Sequence, residues 1–594
     1  LEKQFLPVSR KDMEKRGWDE ADIILVSGDA YVDHPSFGTA LIGRILESRG
    51  FRVGVIAQPD WRSSRDFMRL GRPRLFFAVS AGNVDSMVAN YTANKKRRRE
   101  DTFSPGNKPG LRPDRASIVY SNCLRQAFSG VNIVLGGIEA SLRRLAHYDY
   151  WDDEVRRSLL LDAKADFLVY GMAETAIVEL AQRLKKGEPA AEINFIRGTV
   201  VVRRDLSFVK KRVVLPSFEQ VKESKQDFNL AFKKIYREQD PFHSATLVQK
   251  HGPRWVVHFP PALPLPREKL DSVYALPFTR RYHPMYKTKG GIKGLETVRW
   301  SLTSHRGCPG ECAFCSIFFH QGRIVQSRSR RSLLEEARGF ISEPDFKGTI
   351  NDVGGPTANL YQAECSRYKG KGFCPAKKCL FPEKCPEFKT GYSQSLNLYR
   401  SLAELPGVRH VFIGSGFRYD LLKGKENRAY LRRVCESFIS GQMKVAPEHS
   451  DAAVLKLMHK PGISVYKEFL RDFKQAGKGL ERKCFLVNYF IVGHPGCSLD
   501  AALDLALFCL DRNMQPEQVQ DFIPLPMTLS AAVYYTGKHP FTGEKIYTAK
   551  TLRERRMQRA LLQYRNPKNK KLILEALGEL GRKDLAGKFF KKHV

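Results

Sequence analysis

The sequence predicts an α/β protein: an N-terminal doubly wound parallel sheet, a second region folded as a partial β/α (TIM-type) barrel, and a basic helical tail. Three observations carry this. Short apolar runs ending in small or polar residues alternate with amphipathic helical stretches over residues 1–195, the pattern of strands covered on both faces by crossover helices. A second series of such runs fills 295–540, and beyond about 540 the chain turns basic and helix-forming.

In the first region, strands are expected at 22–29 (DIILVSGD), 51–58 (FRVGVIAQ), 74–80 (RLFFAVS), 132–137 (NIVLGG) and 166–171 (DFLVYG). Between the first two lies TALIGRILESRG (39–50), with apolar residues at helical spacing and a closing glycine. The basic insert KKRRRE at 95–100, followed by a Ser/Pro/Gly/Asn loop, is expected to be exposed and mobile. Residues 196–294 are less regular. PPALPLP at 260–266 excludes helix and central strand, so this stretch reads as an accessory linker. From 295 onward, strands are expected at 297–304, 348–355, 410–416, 439–447, 484–493 and 519–524, with helices between them, as at 332–340 and 499–510. Successive strands of this kind make a β/α barrel whose chemistry gathers at the strands' C-terminal ends. The expected domains are therefore 1–195, 196–294, 295–540 with a Cys-rich insertion at 361–391, and a basic helical extension at 541–594 that docks with its charged face in solvent.

Hydrophobic residues at 42% and charged residues at 27% of 594 are ordinary for a globular protein. No apolar run reaches the roughly 18 residues of a membrane span, and no signal peptide opens the chain. It reads as cytoplasmic, without membrane contact. The 99 basic against 63 acidic residues give a net charge of +36, a field that favours polyanions, RNA among them. Seven of the 12 cysteines fall between 308 and 385, more in keeping with metal ligation than with disulfides in a large intracellular chain.

Cys308, Cys312 and Cys315 follow a predicted strand in the run SHRGCPGECAFCS. A Cys-x3-Cys-x2-Cys triplet supplies three thiolates to a [4Fe-4S] cluster, whereas a closed ferredoxin cluster or structural zinc takes four protein ligands. The fourth iron is left open to chelate S-adenosylmethionine and pass it one electron. Phe314 is placed to lie against an adenine ring. The alternative is a zinc knuckle completed by His305 or His320. A second group, Cys365, Cys374, Cys379 and Cys385, sits in a segment rich in Lys, Pro and Gly that has little core of its own. These four are expected to take zinc or an auxiliary iron–sulfur cluster, with four unligated thiols as the alternative.

The ordered set resembles the radical S-adenosylmethionine superfamily. Over nearly the whole chain it resembles the YgiQ-type family within it, whose substrate is undefined. The resemblance implies that Gly354 and Gly355 of NDVGGPT (351–357) receive the amino group of the methionine moiety. Pro356 stands where a glutamate is common, which leaves that residue's role to backbone carbonyls. GSGFRYD (414–420) and KVAPEHSD (444–451) resemble strand ends of radical enzymes that include methylthiotransferases. They imply that Lys444 or Glu448 hydrogen-bonds the ribose or carboxylate of S-adenosylmethionine, with a structural ion pair as the alternative. Gly493 of IVGHPG (491–496) would pack beside adenine, and DFIPLPMT (521–528) resembles a P-x-P-G-T strand end with Met527 at the glycine position. VLGGIEA (134–140) and VYGMAETAIVEL (169–180) resemble a cobalamin-binding-type domain, but Asp33, His34 and Gly38 have the wrong spacing for the cobalt-ligating pattern. Cobalamin is not expected. The function implied is reductive cleavage of S-adenosylmethionine to a 5′-deoxyadenosyl radical that takes hydrogen from an unidentified substrate. A reductase such as flavodoxin or ferredoxin would supply the electron. The alternatives are an RNA- or nucleotide-modifying enzyme of methylthiotransferase type, and a non-catalytic zinc-bound nucleic-acid or scaffold protein.

Overall fold

The computed structural model describes residues 4–368, 370–375 and 377–590. The chain gathers into two compact units. One comprises Leu1–Ser301, Phe319–Glu336 and Arg367–Pro375, and the other Leu302–Phe318, Ala337–Ser366 and Ala376–Val594.

The first unit is built on a nine-stranded sheet. Its strands are β1 (Ile23–Ser27), β2 (Val53–Ala57), β3 (Phe76–Ser80), β4 (Ile133–Gly136), β5 (Phe167–Val169), β6 (Thr199–Arg203), β7 (Arg212–Val214), β8 (Thr246–His251) and β9 (Arg254–His258). Their order across the sheet is β7-β8-β9-β6-β5-β4-β3-β1-β2. The five expected strands are present and parallel, with Leu25 opposite both Val55 and Ala78. Every residue of β1 is buried, as two-sided helix cover requires. One apolar core runs from Ile23 and Val55 through Phe76, Val134 and Phe167 to Val201, Val248 and Val257.

The stretch 196–294, read from the sequence as an accessory linker, supplies β6 to β9 of this sheet. β6, β9 and β8 continue it as an antiparallel meander. The prolines that suggested a connector lie just past β9, at 260–266, and leave its ladder intact. The basic insert at 95–100 is exposed as expected, but it is fastened rather than loose. Tyr91 bridges Arg97, and Arg98 Nε donates to the carbonyls of Val88 and Tyr91 at 2.9 and 3.1 Å.

The second unit carries strands in all six expected regions: β10 (Ser301–Thr303), which starts at the unit boundary, β11 (Thr349–Ile350) with β12 (Asp352–Gly354), β13 (His410–Val411), β14 (Gln442–Glu448), β15 (Phe485–Val492) and β16 (Gln518–Asp521). β10 neighbours β12, β11 runs parallel to β13, and β14, β15 and β16 form a parallel sheet. A parallel bridge between Phe417 and Val445 links the two groups. The helices Tyr392–Ala403, Ile463–Gly477 and Leu499–Leu510 connect successive strands.

The basic extension forms the helices Leu552–Leu562, Lys570–Glu579 and Ala586–Phe590. The first of these buries Arg555, Met557, Gln558, Ala560, Leu561 and Leu562 and is a docked element. Among the described residues no helix is long and apolar enough to cross a membrane.

Candidate active site

The three cysteines lie in the loop after β10, and backbone bonds fix that loop from two sides. Ala313 donates its N–H to the Met458 carbonyl and accepts from the Ser530 N–H, both at 3.0 Å. The Cys315 N–H donates to the Cys312 carbonyl at 3.0 Å, closing the turn between the last two cysteines. Burial and the neighbouring Cys312 push the Cys315 thiol up to about 12. Burial and Cys312 also raise Cys308, against the opposing pull of Arg418. Free of metal, these sulfurs therefore keep their protons. A metal that binds them must take up the thiolate charge.

Arg418, in the loop after β13, is the cation of this site. Its guanidinium is buried, grips Asp420 through Nε and Nη2 at 3.0 and 2.7 Å, and points Nη1 at Cys312 Sγ at 3.8 Å. Burial opposes its charge. Asp420, joined by the Cys312 and Cys308 sulfurs once these are ionised, outweighs that cost and holds the proton more tightly than in free arginine.

The glycine pair closes onto the start of the cysteine loop. The Gly354 carbonyl accepts the Ser304 N–H at 2.7 Å. A Cβ on Gly355 would lie 2.6 Å from the His305 carbonyl oxygen and 2.8 Å from its ring. His305 is fully buried, and Ser304 Oγ lies 2.9 Å from its Nδ1. Burial lowers its pKa to about 4, against the opposing pull of the Thr357 backbone. Asp352 organises the next strand end by accepting the N–H groups of Gly414 and Ser415 at 2.8 and 3.0 Å.

Lys444 is occupied at the same end, its Nζ donating to the Gly414 carbonyl at 2.8 Å. Glu448 is buried at φ +68° and pairs with buried Lys460 at 3.6 Å, so the structure shows the ion pair that the sequence left as an alternative. Burial raises the Glu448 carboxyl to about 7 against the opposing pull of Lys460. The native state then binds a proton that the unfolded chain releases above 4.5. The stability this confers is full below that value and is lost as the pH rises through about 7. Between pH 5 and pH 8 wild-type metal-free protein should lose up to about 3 kcal/mol relative to Glu448→Gln. Denaturant titration of both proteins measures this, and a pH-independent difference would refute it.

Gly493 adopts φ +71° and donates its N–H to Gln558 Oε1 at 2.8 Å. Phe314 stands edge-on to His494, with ring centroids 6.1 Å apart. Met527 adopts φ +68°, the left-handed conformation that suits the glycine of the related strand-end pattern.

Within the second cysteine group, the structure ties Cys379 to Cys385 through the Cys385 N–H and the Cys379 carbonyl at 2.8 Å. All 12 cysteines are free thiols. Among the described residues, no three His, Cys, Asp or Glu side chains gather tightly enough to hold a single metal ion. A cluster that seats each of three thiolates on its own iron does not demand such a gathering. The insertion also braces the first loop: Lys378 pairs with Glu311 at 3.2 Å, and Phe381 packs on His459, whose Nδ1 lies 3.0 Å from the Glu311 carbonyl. The sequence reading passed over Arg418, Lys460, Asp352 and Gln558, whose partners lie far away along the chain or in loops without a marked pattern. The donor set fits a [4Fe-4S] cluster. Three thiols share one glycine-bearing loop, and a fixed guanidinium beside them offsets thiolate charge.

Comparison with known proteins identifies the family. Residues 5–301 match the family described as Radical SAM N-terminal, and 517–594 match a domain of unknown function, DUF3362. The UPF0313 protein of Methanocella arvoryzae is 51% identical over 580 residues, spanning 98% of this chain and 96% of that protein. The UPF0313 protein of Clostridium botulinum strain 657 is 49% identical over 583 residues, spanning 98% and 91%. Among solved structures, the radical S-adenosylmethionine methyltransferase TsrM of Kitasatospora setae, with cobalamin and a [4Fe-4S] cluster bound, aligns with TM-score 0.46 at 13% identity, covering 86% of this chain and 77% of its own. The cobalamin-dependent S-adenosylmethionine radical enzyme OxsB aligns with TM-score 0.44 at 12% identity, covering 82% and 52%. The chain therefore belongs to the UPF0313 family, the YgiQ type, and is a radical S-adenosylmethionine enzyme.

Proposed function

We propose that this enzyme reductively cleaves S-adenosylmethionine to methionine and a 5′-deoxyadenosyl radical, which takes a hydrogen atom from a substrate held in a partial β/α barrel formed by the second unit. The observation that carries this is the loop holding Cys308, Cys312 and Cys315, backbone-anchored and faced by the Arg418 guanidinium. When bound there, a [4Fe-4S] cluster supplies an iron open to the methionine amino and carboxylate groups and one electron for the sulfonium. The chain's residues do the rest. The backbone at Gly354 and Gly355, packed against Ser304 and His305, receives the methionine amino group. Glu448 and Lys460, paired and buried, offer hydrogen bonds to ribose or carboxylate. Gly493 and Phe314 flank the adenine. Ordered strand ends hold substrate carbon near C5′ and keep water out, because orientation determines which C–H bond a primary radical attacks.

In this reading the N-terminal sheet acts without cobalamin. Its parallel part has the order β2-β1-β3-β4-β5, and the crevice at such a switch point, here between β1 and β3, is where doubly wound sheets take ligands. That crevice is filled by buried Arg112, which pairs with Asp29 at 2.8 Å and Asp101 at 3.1 Å. His34 is buried, and its Nε2 lies 2.8 Å from Arg280 Nη1.

The test is anaerobic reconstitution with iron and sulfide in the presence of hydroxocobalamin, followed by S-adenosylmethionine and dithionite. Expected are 5′-deoxyadenosine, a [4Fe-4S] spectrum and no retained corrin absorbance. A loaded cluster without 5′-deoxyadenosine, with or without candidate substrates, would overturn the cleavage reading. Retained corrin would overturn the closed crevice. A second reading, an RNA or nucleotide substrate, is supported by the +36 charge and the exposed run at 95–99. It predicts RNA affinity that falls steeply with salt.

A further inference from the structure

We propose that Arg418 sets the reducibility of the cluster as a fixed positive charge on the cysteine loop, held there by Asp420 and Asn359. This rests on the cluster assignment above.

The geometry is that of a positioned cation. Asn359, in the turn after the glycine pair, clamps the backbone of Arg418 from both sides. Its Oδ1 accepts the Arg418 N–H at 2.9 Å and its Nδ2 donates to the Arg418 carbonyl at 3.1 Å. Asp420 takes the outer edge of the guanidinium in a two-point grip, which leaves Nη1 directed at Cys312 Sγ. The inner face lies on Gly310, where an added Cβ would come 2.7 Å from Arg418 Nη1 and 3.3 Å from Cys308 Sγ. The glycine thus lets the cation settle between two of the three ligands. A forked guanidinium suits this task better than a lysine ammonium, because one edge is spent on the carboxylate while the other still faces sulfur.

One-electron reduction adds negative charge to a buried site already crowded with thiolates. A cation and an N–H donor next to a ligand sulfur stabilise the reduced form more than the oxidised form and raise the potential, as cluster net charge and hydrogen bonds to sulfur do generally. Asp420 sits on the far side of the guanidinium and works in the opposite sense, so the pair presents its positive end to the cluster. Arg418 is a positioning residue here, acting through Cys312 and Cys308.

The experiment is an EPR-monitored redox titration of reconstituted wild type, Arg418→Met, Arg418→Lys and Asp420→Asn, with iron and sulfide measured on each sample. Arg418→Met should move the cluster midpoint to more negative potential at unchanged iron content. Arg418→Lys should fall between it and wild type, and Asp420→Asn should move to more positive potential. Opposite signs for Arg418→Met and Asp420→Asn separate a charge effect from loosening, which would move both the same way. An unmoved midpoint in Arg418→Met, or shifts of one sign in both, overturns the proposal alone. If Arg418→Met takes up no cluster, Arg418→Lys and Asp420→Asn decide by the same signs. A wild type that assembles no [4Fe-4S] cluster overturns the underlying assignment and this proposal together.

Discussion

Cys312→Ala should abolish 5′-deoxyadenosine formation and leave the fold intact, and Cys308→Ala and Cys315→Ala should do the same. Each removes one of three ligands that act as a unit, so the losses are total and do not add. The fold should survive because the loop is anchored mainly through the backbone of Ala313, at Met458 and Ser530, while its thiols make only long contacts of 3.8 Å. The far-UV spectrum and thermal transition of the metal-free variants should match those of wild type, while iron and sulfide uptake at the first site fails. Full cleavage by any one of the three would remove the assignment. A variant that fails to fold would show that the thiols also hold the loop, contrary to the backbone anchoring.

Gly355→Ala should be the most damaging single methyl group that can be added to the site. Its Cβ would meet the His305 carbonyl oxygen at 2.6 Å, a backbone atom that cannot swing away as a side-chain end can. The peptide at His305 has to move, and it stands three residues before Cys308. Overpacking of this kind costs about 3 kcal/mol, readable as a lowered denaturation midpoint. S-adenosylmethionine cleavage should be lost even with iron content maintained, because the backbone surface offered to the methionine amino group shifts. The double variant with His305→Ala relieves only the ring contact and should recover little. Normal stability and cleavage in Gly355→Ala would show that this backbone is not the cosubstrate's seat.

The buried strands were legible because they must be apolar on both faces, and the cysteine triplet because its spacing is local. Gly354 and Gly355 were legible only by their position after the cysteines. What the sequence hid is long-range. Arg418 and Cys312 are 106 positions apart, and nothing in GSGFRYD marks its arginine as facing a sulfur. Glu448 was visible, but its pairing with Lys460 depends on the chain turning back between them. β6 to β9 were obscured by prolines that lie beyond their ends. The tail at 541–594 reads as a charged helix, and charge gives no warning that Arg555 and Gln558 are buried.

That burial has a temporal side. Gly493 receives its acceptor from Gln558, and the Phe522 carbonyl receives the Arg555 guanidinium. The loops after β15 and β16 are therefore completed by residues that follow β16 in the chain. On the ribosome, a nascent chain displays its cysteine loop long before those partners emerge. Final closure of the loops after β15 and β16 thus waits for residues beyond β16, and a chain that stops before them carries the cysteine loop without its completed strand ends.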